Sequence, residues 1–225
     1  MSGGEGAIAP PTARRSFLIK VCGVTSPEDA ELAVAAGANA IGVNLWPDSK
    51  RFVDDGSARD VLAAVPDGVL KVGVFVNATA EEVAARLRSL GLDKAQLHGN
   101  ERAQDFATLP NEVVVRAARV RDESTFQTEA LWHPSLWLYD AFSPGYGGSG
   151  HQAPWTLVAK LARRPFLLAG GLTPDNVAAA IAAVRPDGVD VASGVERAPG
   201  RKDAARLRSF IQAARAAAHA IVPTP

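Results

Sequence analysis

The chain has 225 residues, close to the ~250 of a complete β/α barrel and enough to bury one sizeable core. Its 24 basic and 24 acidic residues cancel, leaving no electrostatic footprint for nucleic acid or an anionic membrane, and no run approaches the ~18 apolar residues of a membrane span. The single cysteine excludes an internal disulfide and paired-cysteine redox or zinc motifs, and it suits a reducing cytoplasm.

Residues 1–15 are rich in Gly, Ala and Pro, end in Arg14-Arg15 and lack the apolar run of a signal peptide. They read as a flexible leader before one barrel domain over 16–220, with a loose tail at 221–225. The first strand is expected over 17–23, followed by a helix with Ser26 as N-cap and Pro27 at its first position. A strand over 40–45 precedes a helix near 57–65, and a β-branched strand over 70–76 precedes a helix that opens on the capping-box pair Thr79 and Glu82. Strand four is expected over 94–98 with a short helix from about Glu101, strand five over 112–120 and a helix over 122–130. Strand six, over 136–141, leads into a long loop over 142–153 and a helix over 154–162. Strand seven, over 166–169, feeds a helix capped by Thr173 with Pro174 first; strand eight, over 189–192, feeds a last helix over 203–217. Eight alternating units predict an α/β fold, a single (β/α)8 TIM barrel whose closure removes exposed sheet edges. An open doubly wound sheet is the alternative, but no GxGxxG follows the first strand.

In such barrels chemistry sits at the carboxyl ends of the strands. Lys20 and Cys22 lie two apart at the end of strand one and so share a face. A lysine in an apolar strand needs a carboxylate partner, and its charge is expected to lower a thiol pKa of ~8.5 towards neutrality. Position alone leaves Cys22 open between a small buried hydrophobe and a reactive thiol. Arg51, after strand two, suits two parallel hydrogen bonds to a carboxylate, or is half of a solvated Lys50-Arg51 pair. Asp140 ends strand six beneath the glycine-rich loop 143–150 and is a general-acid candidate, with a turn-forming role as the bland alternative. Gly170-Gly171 and Ser193-Gly194 end strands seven and eight; small-residue loops feeding helix N-termini there offer backbone N–H groups to a phosphate, pointing to a phosphosugar. Asp190, if it faces inward, reaches ligand hydroxyls or pairs with Lys20. His98 reads chiefly as a structural hydrogen-bonder, and the four histidines, lacking HxH or HExxH spacing, predict no metal site. No cofactor fingerprint is present beyond the phosphate cradle.

These segments together resemble the phosphoribosylanthranilate isomerases. The match runs in order through Lys20-Val-Cys-Gly-Val-Thr-Ser-Pro-Glu-Asp-Ala30, Ser49-Lys-Arg-Phe52, Gln96-Leu-His-Gly-Asn-Glu101, Gly147-Gly-Ser-Gly150, Leu168-Ala-Gly-Gly-Leu-Thr-Pro-Asp-Asn176, Val189-Asp-Val-Ala-Ser-Gly-Val-Glu196 and Pro199-Gly-Arg-Lys-Asp203. The resemblance implies an Amadori rearrangement of a phosphoribosyl anthranilate in tryptophan biosynthesis, with no metal or organic cofactor. It implies Asp140 as general acid, Cys22 as general base, Arg51 on the anthranilate carboxylate, Asp190 near the sugar hydroxyls, and the backbone of Gly170, Gly171, Ser193 and Gly194 on the phosphate. Two departures stand out: Ala153-Pro154-Trp155 where the family usually has Phe-Asp-Trp, and Arg116 where lysine is commoner. The histidine-pathway isomerase is expected to carry aspartate where this chain has Cys22, and a non-catalytic barrel would be expected to lack Cys22 or Asp140. The expected partner is a small phosphosugar, with neither nucleic acid nor membrane; monomer and homodimer both stay open.

Overall fold

A computed structural model describes residues 16–141 and 155–221. The leader over 1–15, the glycine-rich loop, the Ala153-Pro154 departure and the tail beyond Ile221 lie outside the described residues.

The strands are β1 (Leu18–Cys22), β2 (Ala40–Asn44), β3 (Leu70–Phe75), β4 (Lys94–Leu97), β5 (Val114–Val120), β6 (Leu136–Ala141), β7 (Phe166–Ala169) and β8 (Gly188–Val191). Each pairs in parallel with the next, and β8 returns to β1 to close the barrel. That closing register, with Lys20 opposite Asp190, excludes the open sheet.

Around the barrel lie α1 (Pro27–Ala36), α2 (Asp55–Ala63), α3 (Ala80–Ser89), α4 (Ser124–Thr128), α5 (Trp155–Leu161), α6 (Val177–Val184) and α7 (Ala204–Ile221). Their stop and start signals are local. Ser26 Oγ accepts the Asp29 N–H with Pro27 at the first position, and Gly37 ends α1 in the left-handed region. Thr79 and Glu82 form the full capping box of α3. Leu207, Phe210, Ile211 and Ala214 form the buried stripe of α7.

Three expectations are corrected. The helix expected after β4 is only a 3-10 turn over Ala103–Phe106. Glu101 is drawn inward instead, accepting from the Asn77 and Gly99 N–H groups and from Arg116, so it does not serve as the first turn of a helix. The helix after β7 begins at Val177 rather than Pro174, because the Asn176 side chain accepts the Thr173 N–H and donates to the Gly171 carbonyl, shaping a turn before the helix. A small antiparallel hairpin, β9 (Glu196–Ala198) and β10 (Arg201–Lys202), was not expected between β8 and α7. The Pro199-Gly200 dipeptide at its tip was the available signal.

One apolar cluster fills the space between barrel and helices. A second, made of Val115, Ala117, Leu138, Leu167 and Ala169, fills the barrel interior. Inward-facing positions alternate along each strand, so the interior becomes polar toward the carboxyl ends, where Lys20, Gln96 and Asp190 are buried. Arg116, between inward Val115 and Ala117, points outward. There it pairs with Glu101 and Glu129 beneath the face of Trp132, away from the polar end of the barrel interior.

Candidate active site

The polar end of the barrel opens into a cavity of about 300 Å³, at the small end of the range for sites that hold small molecules. Cys22, Arg51, His98, Asp140 and Asp190 line it, together with the loops at Gly170–Leu172 and Ser193–Gly194. Every site residue expected from the sequence thus reaches one cavity.

Parallel pairing of β1 with β8 sets Lys20 beside Asp190, and the Lys20 Nζ donates to Asp190 Oδ1 at 2.9 Å. This is the carboxylate partner the buried lysine requires. Gly42, on the neighbouring strand, makes the room: a Cβ there would stand 3.0 Å from Lys20 Nζ and 3.1 Å from Cys22 Sγ. Burial opposes the charge on Lys20, but Asp190 and the Cys22 sulfur outweigh it and hold the lysine above its ordinary pKa.

The Cys22 thiol departs from expectation. Burial is the strongest influence and pushes its pKa up; Lys20 and Lys202 pull down while Asp190 pushes up again. The net direction is upward, because burial, with Asp190 adding to it, outweighs the pull of the two lysines. Lys20 therefore does not bring the ligand-free thiol towards neutrality.

Asp140 ends β6 across the cavity, with its Oδ2 3.6 Å from His98 Nε2, beyond a direct hydrogen bond. His98 was expected as a structural hydrogen-bonder, and its Nδ1 does meet Gln96 Nε2 at 3.1 Å. Gln96, which sequence reasoning missed, alternates with Lys94 and His98 on β4, and that period of two was the signal.

Arg51 lines the cavity, but the two-pronged carboxylate contact expected of it is made within the protein. Its Nε and Nη2 donate to Glu196 Oε1 and Oε2 at 2.8 and 2.6 Å. Lys202 Nζ also reaches Glu196 Oε1, at 3.0 Å. Burial favours the neutral acid at Glu196, yet Arg51 and Lys202 prevail and hold the carboxyl below its ordinary pKa. For Lys202 the balance runs the other way: burial, its largest influence, lowers the pKa despite Glu196.

The loops after β7 and β8 meet closely. A Cβ on Gly194 would stand 1.9 Å from the Leu172 carbonyl oxygen, so only glycine fits. The expectation that these loops feed helix N-termini is corrected, since α6 starts only at Val177 and Ser193–Val195 is a 3-10 turn. Any anion there meets loop backbone.

A closed barrel with a thiol and a carboxylate across one cavity at its strand ends belongs to the β/α-barrel enzymes whose chemistry runs on strand-end side chains. A family model described as N-(5'-phosphoribosyl)anthranilate (PRA) isomerase matches residues 19–213. The N-(5'-phosphoribosyl)anthranilate isomerase of Pelobacter propionicus is 43% identical over 199 residues, covering 88% of this chain and 95% of that one. The crystal structure of phosphoribosyl anthranilate isomerase from Thermotoga maritima superposes with a TM-score of 0.83 at 36% identity, covering 89% of this chain and 99% of that one. A further structure of such an isomerase, in complex with reduced 1-(o-carboxyphenylamino)-1-deoxyribulose 5-phosphate, gives a TM-score of 0.79 at 34% identity with the same coverage, 89% and 99%. The chain belongs to the N-(5'-phosphoribosyl)anthranilate isomerase family and is an isomerase.

Proposed function

We propose that this chain rearranges N-(5'-phosphoribosyl)anthranilate to 1-(2-carboxyphenylamino)-1-deoxyribulose 5-phosphate, a step of tryptophan biosynthesis in the cytoplasm, with Cys22 and Asp140 as its acid–base pair. The observation that carries this reading is that the thiol on β1 and the carboxyl on β6 open onto the same cavity as the loops after β7 and β8. No helix among the described residues is long and apolar enough to cross a membrane.

Asp140 donates its proton to the furanose ring oxygen as the bond from that oxygen to C1 breaks. The anilino nitrogen supplies the electron pair and becomes an iminium. The Cys22 thiolate then takes the proton from C2, the electrons flow into the iminium, and an enolamine forms. Tautomerisation of the enolamine gives the ketose, with C2 as carbonyl and a proton returned to C1. The burial that raises the Cys22 pKa in the ligand-free site makes the thiolate a stronger base, and the developing iminium beside it favours the thiolate when it is needed. Arg51 receives the anthranilate carboxylate, Asp190 the sugar hydroxyls, and the backbone at Gly170, Gly171, Ser193 and Gly194 the phosphate.

Cys22→Ser and Asp140→Asn each lower kcat by about 10²- to 10⁴-fold, while substrate binding, followed by anthranilate fluorescence, stays within a few-fold. Turnover near the wild-type level in either variant contradicts the assigned roles.

A further inference from the structure

The hairpin β9–β10 does not join the barrel sheet, yet it carries two charged side chains that are almost wholly buried. Lys202 Nζ donates to the Cys22 carbonyl at 2.7 Å, to Glu196 Oε1 at 3.0 Å and to the Ala192 carbonyl at 3.3 Å. An ammonium has three hydrogens, so all of them are used, and together they tie the end of β1 to the end of β8. Glu196 spends both carboxylate oxygens on the Nε and Nη2 of Arg51, and its Oε1 also takes the Gly200 N–H at 3.4 Å. The hairpin is itself anchored at the start of α1, through the Lys202 N–H to Asp29 Oδ2 at 3.0 Å and the Thr25 hydroxyl to the Gly200 carbonyl at 2.6 Å.

A buried ion pair is a poor device for stability alone, because desolvation offsets most of its attraction and apolar side chains would fill the space as well. What it does supply is direction, and both directions here end on residues of the site.

We infer that Glu196 and Lys202 are positioning residues: Lys202 holds the main chain on which the base Cys22 stands, and Glu196 aims the guanidinium of Arg51 at the substrate carboxylate. The inference deepens the proposed function and rests on its reading of Cys22 and Arg51. Glu196 acts only through Arg51. Lys202 acts on Cys22 directly, as a main-chain clamp and as a positive charge behind the sulfur.

The test uses the full chain as wild type, Glu196→Gln, Arg51→Ala, the double variant and Lys202→Met, each checked for folding by circular dichroism. Steady-state turnover of N-(5'-phosphoribosyl)anthranilate gives KM and kcat. Glu196→Gln raises KM about tenfold with kcat within threefold, and it adds nothing further to KM in the Arg51→Ala background. A second readout needs no activity: because Cys22 is the only cysteine, iodoacetamide reports its titration alone. Lys202→Met moves the pH midpoint of alkylation upward and lowers kcat more than it raises KM. A wild-type KM in Glu196→Gln, a KM effect that persists in full in the double variant, or an unchanged alkylation profile in Lys202→Met overturns the inference. If Lys202→Met does not fold, the Glu196–Arg51 cycle decides. A wild-type protein without turnover sinks the functional reading instead, and the alkylation profiles then still decide the role of Lys202.

Discussion

Cys22 has two lysines within electrostatic reach, and both pull its pKa down, while burial and Asp190, the partner of Lys20, push it up. Burial is the strongest of these influences, and the thiol pKa lies above its ordinary value. A raised pKa means that the protonated form persists to higher pH. Alkylation of the ligand-free protein at neutral pH is therefore slower than that of a free cysteine of pKa ~8.5, and it accelerates only as pH rises above that value. A midpoint below the free-thiol value in an iodoacetamide pH series would contradict this balance. The same sign applies to catalysis, where the acidic limb of kcat/KM reports the free enzyme's base. Cys22, Arg51, Asp140 and Asp190 were legible as candidates because a barrel displays its chemistry where strands end. The direction of the Cys22 shift was not legible, since it is a difference between burial and two ion pairs. Glu196 and Lys202 were equally hidden as supports, because their partners Arg51 and Cys22 lie 145 and 180 residues away in the chain.

At the scale of elements, local chemistry was readable wherever it acts within a few residues. The α3 capping box is the clearest case, with the Thr79 Oγ1 accepting from the Glu82 N–H at 3.2 Å and Glu82 Oε2 from the Thr79 N–H at 2.9 Å. Thr79→Ala lowers unfolding stability by about 1 kcal/mol, measured by urea denaturation, and leaves kcat unchanged because the residue lies outside the catalytic cavity. A stability equal to that of the wild type would show that the cap contributes nothing. The two misread helices each involve a side chain engaged elsewhere. Glu101 leaves the segment after β4 to meet Arg116, and Asn176 shapes the turn that delays α6. Patterning of apolar residues cannot show either, because the decisive group is polar and its partner lies on another element or on turn backbone.

At the scale of the molecule, closure of the barrel and assembly of the site are the same event. Lys20 and Asp190 are 170 residues apart in sequence and become neighbours only when β8 pairs with β1. The apolar cluster inside the barrel closes off the space beneath them, so the polar groups face one mouth. Eight alternating units made this architecture legible from the sequence, whereas the hairpin after β8 was too short to leave a periodic trace. Cys22 stands at the end of β1, where an aspartate is expected of the histidine-pathway isomerase, so the two substrates should separate at this mouth. The most direct measurement is a parallel assay of the purified protein with N-(5'-phosphoribosyl)anthranilate and with the aminoaldose substrate of that second isomerase. Rapid loss of anthranilate-type fluorescence is expected with the first and a far lower kcat/KM with the second; absence of turnover on the first, or preference for the second, would contradict the assignment.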